Sequence, residues 1–234
     1  MRVLALVHQD DAPPGTFGEV VAEHGHELDV RSFVPGAGDE PSPDAAGRYG
    51  AVMFFGGSMQ VDQDDRHPWL EPERAFVREL IDREVPTVGV CLGSQVIAQA
   101  AGGAIGPAVV PEVGWHEVEL TLDALDDPVL GDCPRRFAAY QGHSYGFGLP
   151  PGALALAHGQ ADALQAYRIG DAMWGLQFHP EVTWDIVDPW IAEHAADGDV
   201  PDEPALREET RANLPRWMAF GRSLCARFLE RAAL

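Results

Sequence analysis

The chain of 234 residues contains no lysine, so arginine supplies all 16 of its basic side chains. Without lysine there can be no phosphate-binding loop of the G-x-x-x-x-G-K-[ST] type and no catalytic lysine. The sequence therefore shows no means of activating an acceptor molecule with ATP. Acidic residues number 37, and the formal charge of −21 argues against a nucleic-acid-binding surface, which requires clustered Lys and Arg.

Long hydrophobic runs and cysteines are also scarce. No run approaches the roughly 20 apolar residues that a membrane helix needs, so we expect no membrane partner. The apolar stretch 2–7 is too short for a signal-peptide core and is better interpreted as a first strand. Three cysteines form no disulfide framework and suit a reducing compartment. We therefore expect a cytoplasmic protein.

Short apolar runs alternate with helical patterns, which predicts an α/β fold with a mostly parallel sheet flanked by helices. Early strands are predicted at 3–7, 27–33, 51–55 and 87–90, with a helix over 69–83. Later strands follow at closer spacing, which predicts an antiparallel extension of the sheet; they are 118–122, 137–140, 154–158, 164–167 and 173–178. Helices are predicted at 184–195 and 216–231, separated by an acidic, solvated loop at 197–204. The length favours one domain over 1–234, with a helical C-terminal extension from about 197 to 234.

Cys91 is the strongest candidate for a catalytic side chain. The segment Gly89-Val90-Cys91-Leu92-Gly93 connects the strand pattern ending at 90 to a helical pattern over 94–101, which places Cys91 in the first turn of that helix. A nucleophile with glycines two residues away on both sides is typical of a sharp turn that presents its side chain above the sheet. A helix N-terminus also stabilises a thiolate. Cys133 and Cys225 lack such neighbours and are interpreted as buried apolar side chains.

A second candidate segment, Gln177-Phe178-His179-Pro180-Glu181, follows the last predicted strand. Residues i and i+2 of an extended chain point to the same side, so Glu181 can orient the imidazole of His179. His179 could then take the proton of a thiol, as in a nucleophile, base and orienting-acid arrangement. The tripeptide alone is weak evidence; its combination with the Cys91 turn is what predicts a Cys91-His179-Glu181 triad.

With both motifs in place, the sequence resembles the class I (triad-type) glutamine amidotransferases, and in particular their stand-alone, GMP-synthase-like members. The resemblance rests on GVCLGSQ and HPE in that order and extends from about residue 3 to 191. Four further segments match: the Gly56-Gly57 turn after a strand, PWL at 68–70, EVGW at 112–115, and QGHS at 141–144 leading into LPPG. The resemblance implies a flavodoxin-like α/β fold.

The resemblance also implies roles for further residues. The amide N–H groups of Gly57 and Leu92 would hold the oxyanion of a tetrahedral intermediate, and Gln95 would contact the substrate. Ser144 and Tyr145 fall where the family's main chain recognises the α-amino and α-carboxylate groups of glutamine. Many stand-alone relatives have an aspartate where this chain has Tyr145, a difference that bears on the choice of substrate.

Three functions follow as alternatives. The first is hydrolysis of the glutamine side-chain amide through a γ-glutamyl thioester, with the ammonia passed to a separate synthase. The second is a γ-glutamyl peptidase that acts on γ-glutamyl amides or peptides, which Tyr145 motivates. The third is a non-catalytic regulatory module that retains the fold. Neither hydrolytic reaction requires a metal or another cofactor.

Overall fold

Nine strands form one sheet in the computed structural model, which describes residues 1–36, 39–41 and 43–234. The strands are β1 (Arg2–Leu6), β2 (Glu27–Arg31), β3 (Ala51–Phe54), β4 (Thr87–Val90), β5 (Ile105–Leu120), β6 (Arg136–Phe147), β7 (Leu154–His158), β8 (Leu164–Ile169) and β9 (Met173–Leu176). Their order across the sheet is β2-β1-β3-β4-β9-β8-β7-β5-β6.

The sheet has a parallel and an antiparallel part that meet at β9. From β2 to β9 all neighbours are parallel, in the strand order of flavodoxin-like folds. From β9 to β6 all neighbours are antiparallel. The predicted α/β sheet with an antiparallel extension is therefore confirmed, and among the described strands the extension contributes as many pairings as the parallel part.

Five α-helices flank the sheet in the described part of the chain: α1 (Gly15–Glu23), α2 (Leu70–Asp82), α3 (Leu92–Ala100), α4 (Trp184–Asp197) and α5 (Glu203–Ala232). Short 3-10 helices lie at Pro43–Arg48, Asp123–Asp126 and Gln160–Asp162. No helix within residues 1–36, 39–41 and 43–234 is long and apolar enough to span a membrane.

The helices form two layers because the central strands are apolar on both faces. On β1, Val3 and Ala5 belong to one buried cluster, which includes side chains of α1, α4 and α5. Leu4 and Leu6 belong to the other, with side chains of α2 and α3. This alternation explains why the early strands are continuous hydrophobic runs, and it leaves only the strand ends open to solvent.

The structure differs from the sequence prediction at three elements. The 118–122 and 137–140 patterns are only parts of β5 and β6, whose remaining residues alternate poorly because the pairing shifts register between Pro107 and Glu112. Helix α1 was not predicted, although Phe17, Val20 and Val21 are buried at helical spacing.

The C-terminal helix is also longer than the 216–231 segment that its apolar spacing predicts. It begins at Glu203, inside the segment predicted as an acidic loop, because the Asp202 side chain accepts a hydrogen bond from the Ala205 N–H at 3.0 Å and Pro204 occupies the first turn. The rest of the acidic segment is largely exposed, as expected.

Candidate active site

The predicted site residues lie at the carboxyl ends of adjacent parallel strands, where ligands bind in open α/β sheets. Gly56 and Gly57 follow β3, Cys91 follows β4, and His179 lies three residues after β9. Gly57, Cys91 and His179 border one cleft of about 520 Å³. That volume lies within the range of small-molecule binding sites, about 300–1,000 Å³.

Cys91 occupies a strained backbone conformation, with φ of 50° and ψ of −113°. It precedes α3 instead of lying within the first helical turn as predicted, and its N–H donates to the carbonyl of Leu176 at 2.8 Å. The flanking glycines do not carry the strain. They allow close packing, because a Cβ on Gly93 would lie 2.5 Å from the carbonyl oxygen of Phe54, and one on Gly89 would lie 2.7 Å from the carbonyl carbon of Gly93. The strain at Cys91 itself indicates a functional position.

His179 and Glu181 are in direct contact, as their spacing predicts. The distance from His179 Nδ1 to Glu181 Oε1 is 2.8 Å, and both residues are 2% exposed. Burial lowers the pKa of His179, but the charges of Glu181 and Cys91 and the hydrogen bonds to both side chains outweigh burial and raise it to about 10. The imidazole is therefore held in its charged form near neutral pH.

Cys91 and His179 are neighbours across Gly56. A Cβ on Gly56 would lie 3.1 Å from His179 Cε1 and 3.7 Å from Cys91 Cβ, so a larger residue would crowd both side chains. The Cys91 sulfur also lies 3.9 Å from the carbonyl oxygen of Gly142, on the opposite wall of the cleft. A thiol beside a protonated, carboxylate-bound imidazole is an arrangement suited to nucleophilic chemistry.

Two tryptophans that the sequence analysis did not assign to the site hold His179 in place. The Trp190 ring on α4 meets the imidazole edge-to-face, with centroids 4.9 Å apart. The Trp217 Nε1–H on α5 donates to the His179 carbonyl oxygen at 2.7 Å. Helical spacing indicated that Trp217 is buried, but its contact with His179 joins residues 38 positions apart and has no local signal.

Gly57 and Leu92, the predicted oxyanion donors, lie beside Cys91. Leu92 is the first residue of α3, so its N–H has no acceptor within the helix. Gly57 packs so closely that a Cβ would lie 2.9 Å from Leu92 Cδ2 and 3.0 Å from His8 Cβ. The glycine therefore allows the backbone to approach the cleft at this point.

Gln95, Ser144 and Tyr145 also border the cleft, as the resemblance implies. The Gln95 side chain donates to the Tyr145 carbonyl oxygen at 3.1 Å and to Gln177 Oε1 at 3.3 Å. The Ser144 hydroxyl accepts from the Gln60 side chain at 3.3 Å. Gln95 thus fixes the main chain of β6 at the position predicted to bind substrate.

The family model for class-I glutamine amidotransferases matches residues 17–194. The chain belongs to this family. The matched region contains every predicted site residue, whereas β1 and α5 lie outside it.

Similar proteins agree with this assignment. One component of a glutamine-hydrolysing GMP synthase from Ignicoccus hospitalis, named as a subunit of that enzyme, is 34% identical over 68% of this chain and 77% of its own length. The glutamine amidotransferase-like protein YfeJ of Salmonella typhimurium is 25% identical over 82% of this chain and 80% of its own length. The crystal structure of a glutamine amidotransferase from Thermotoga maritima superposes with a TM-score of 0.86 at 27% identity, covering 98% of both chains.

Behind the amidotransferase cleft lies a buried polar group that the sequence analysis did not predict. Glu112 Oε2 accepts from the Gln165 side chain at 2.8 Å and lies 3.4 Å from His143 Nε2. Burial raises the pKa of Glu112, whereas burial and the charges of His179 and His116 lower the pKa of His143 to about 3. The EVGW and QGHS segments contain Glu112 and His143, so the family motifs were the available signal.

The other end of the cleft is formed by α4 and the residues that follow it. Trp190, Glu193 and His194 border the cleft here, together with Asp197 and Asp199. Asp199 lies 3.3 Å from His194 Nδ1. The acidic segment, which was predicted only as a solvated loop, therefore also forms part of the cleft rim.

Proposed function

We propose that the protein hydrolyses the side-chain amide of glutamine, with Cys91 as nucleophile, His179 as acid and base, and Glu181 as the group that orients and charges the imidazole. One observation carries the proposal. A strained, 5% exposed cysteine at the end of β4 lies beside a histidine that is bound to a buried carboxylate at 2.8 Å. Membership in the class-I glutamine amidotransferase family supports the same chemistry.

In the first half-reaction the Cys91 thiolate attacks the amide carbon, and the carbonyl oxygen becomes an oxyanion. The C–N bond then breaks as protonated His179 gives its proton to the departing nitrogen, which leaves as ammonia and leaves a γ-glutamyl thioester. In the second half-reaction neutral His179 takes a proton from water, whose oxygen adds to the thioester carbon. The C–S bond breaks and glutamate is released, restoring the thiolate.

The N–H groups of Gly57 and Leu92 are the proposed donors to the oxyanion. Their positions beside Cys91 support this role, because preorganised donors stabilise charge that develops during reaction. Each such donor contributes about 3 kcal/mol to transition-state stabilisation in comparable sites. Gln95, Ser144 and Tyr145 are the proposed substrate-binding residues on the facing side of the cleft.

We propose that the ammonia passes to a separate synthase protein. The relative from Ignicoccus hospitalis is named as one subunit of a glutamine-hydrolysing GMP synthase, which supports an arrangement of this kind. The three cysteines are all free, which fits our expectation of a cytoplasmic protein. If a synthase is required, adding it should raise glutamine turnover; turnover that is already maximal without it would contradict this part of the proposal.

The direct test is glutamate release from glutamine by the purified protein. Cys91→Ala should abolish release. Cys225→Ala is the matched control, because Cys225 is buried beneath α1 with its sulfur 3.8 Å from the Phe17 carbonyl oxygen, far from the cleft in the fold. Equal release by the unaltered protein and Cys91→Ala would show that Cys91 is not the nucleophile.

A second function, hydrolysis of γ-glutamyl amides or peptides, is favoured by the shape of the cleft. The cleft continues beyond Cys91 to Trp190, Glu193 and His194, and it accommodates ligands larger than glutamine. The same mechanism would then release an amine instead of ammonia. Comparing kcat/KM for glutamine and for γ-glutamyl dipeptides decides between the two; failure to cleave any such dipeptide would exclude the second function.

A further inference from the structure

A buried ion pair lies behind the Gly56-Gly57 turn and has no part in the mechanism so far. His8 follows β1, and Glu73 lies on α2. His8 Nε2 is 2.8 Å from Glu73 Oε1, and His8 Nδ1 is 3.3 Å from the carbonyl oxygen of Gly56. Both side chains are almost completely buried. Since burying such a pair carries a desolvation penalty, its position next to the active-site turn requires an explanation.

The hydrogen-bond partners determine where the protons lie. A carbonyl oxygen can only accept, so Nδ1 of His8 must carry a hydrogen that it donates to Gly56. The second proton lies between Nε2 and Glu73, and whichever atom holds it, the Nδ1–H still faces the carbonyl. Burial lowers the pKa of His8, but the Glu73 charge and the hydrogen bonds outweigh it and raise the pKa above the ordinary value. His8 is therefore a charged donor to this carbonyl at neutral pH.

The Gly56 carbonyl and the Gly57 N–H belong to the same peptide group. The described residues contain no cis peptide bonds, and in a trans peptide the C=O and N–H point in opposite directions. Because the carbonyl faces buried His8, the N–H faces away from it, toward the cleft that Gly57 borders. Within the described ranges the Gly57 N–H donates to no protein backbone acceptor.

We propose that His8, held by Glu73, is a positioning residue that orients and polarises the Gly57 N–H for the oxyanion. This inference rests on the proposed function, in which Gly57 is an oxyanion donor. A charged donor on the carbonyl draws electron density from the peptide and strengthens its N–H as a donor, since linked hydrogen bonds polarise one another. It also fixes the turn before reaction, which is the condition under which such donors are effective.

Two reactions at Cys91 separate this role from a merely structural one. Acylation by p-nitrophenyl acetate passes through a tetrahedral oxyanion, whereas alkylation by iodoacetamide does not. The variants are His8→Asn, whose amide nitrogen can replace Nδ1, and His8→Gln, whose amide reaches toward Glu73 and leaves the Gly56 carbonyl without its donor. Rates of both reactions are measured for each variant and for the unaltered protein, with thermal unfolding as the check on folding.

We expect His8→Gln to lower the ratio of acylation to alkylation by about tenfold to a hundredfold, less than the loss of a whole oxyanion donor. His8→Asn should keep the ratio close to that of the unaltered protein. Equal losses in both reactions, or no change in the ratio, would overturn the inference. If His8→Gln does not fold, Glu73→Gln supplies the test: it withdraws the charge that keeps His8 protonated, so the ratio should fall, and an unchanged ratio would overturn the inference.

Glutamine hydrolysis by the unaltered protein is measured in parallel. Absence of turnover on glutamine and on γ-glutamyl amides would count against the proposed function. The acylation ratio would still decide the role of His8, because p-nitrophenyl acetate does not depend on the natural substrate.

Discussion

Replacing Glu181 by glutamine should move the alkaline limb of the pH–rate profile to lower pH. Glutamine keeps the size of the side chain and an oxygen that can accept from His179 Nδ1, so the variant removes the charge and retains the contact. In the proposed mechanism protonated His179 supplies the proton for the leaving ammonia. Activity should therefore fall as pH rises through the pKa of His179, about 10.

The size of the change follows from the buried contact. Loss of an opposite charge at hydrogen-bond distance lowers a pKa by about 1–3 pH units. With a pKa near 10 the imidazole is about 90% protonated at pH 9, and with a pKa near 8 about 10%. The variant should therefore lose about tenfold more activity at pH 9 than at pH 7, in addition to any loss that is independent of pH.

The assay is kcat/KM for glutamate release between pH 6 and pH 11, since this parameter reports groups of the free enzyme. Glu19→Gln is the matched control, because it makes the same chemical change at an exposed carboxylate that pairs with Arg222. An alkaline limb that stays in place in Glu181→Gln would refute the reasoning, as would an equal displacement in Glu19→Gln.

Two further variants test the supports of the site. Trp217→Phe leaves the buried His179 carbonyl without its donor, so the free energy of unfolding should fall by about 1–3 kcal/mol and kcat should fall more than KM changes; calorimetry and steady-state kinetics measure this, and an unchanged Tm would contradict it. Gly93→Ala should destabilise the protein by about 1–3 kcal/mol or more, because its Cβ would lie 2.5 Å from the Phe54 carbonyl oxygen. Gly106→Ala is the control, since nothing lies within 4 Å of its added Cβ; equal Tm values for both variants would refute the packing argument.

Local patterns predicted those parts of the fold that depend on local physics. The apolar runs of β1, β3 and β4 are buried on both faces, so their composition alone indicated central strands. The long arms of β5 and β6 were predicted only in part, because their outer residues are exposed and carry prolines and glycines. Their pairing depends on contacts between distant segments, which periodicity does not report.

The sequence by itself determined the chemistry available to this protein. It placed Cys91 between a strand and a helix, set Glu181 two residues from His179, and excluded lysine chemistry throughout the chain. These are properties of residue type and short spacing, and they follow from the backbone geometry of a few neighbouring residues.

Only the tertiary structure decided what surrounds that chemistry. Parallel pairing of β1, β3, β4 and β9 brings His8, the glycine turn, Cys91 and His179 to one edge of the sheet. The contacts of Trp217 with His179 and of Glu73 with His8 join residues 38 and 65 positions apart. Burial and charge at such contacts depend on the packed fold, so the protonation of His179 and the support of the glycine turn could not be read from local sequence.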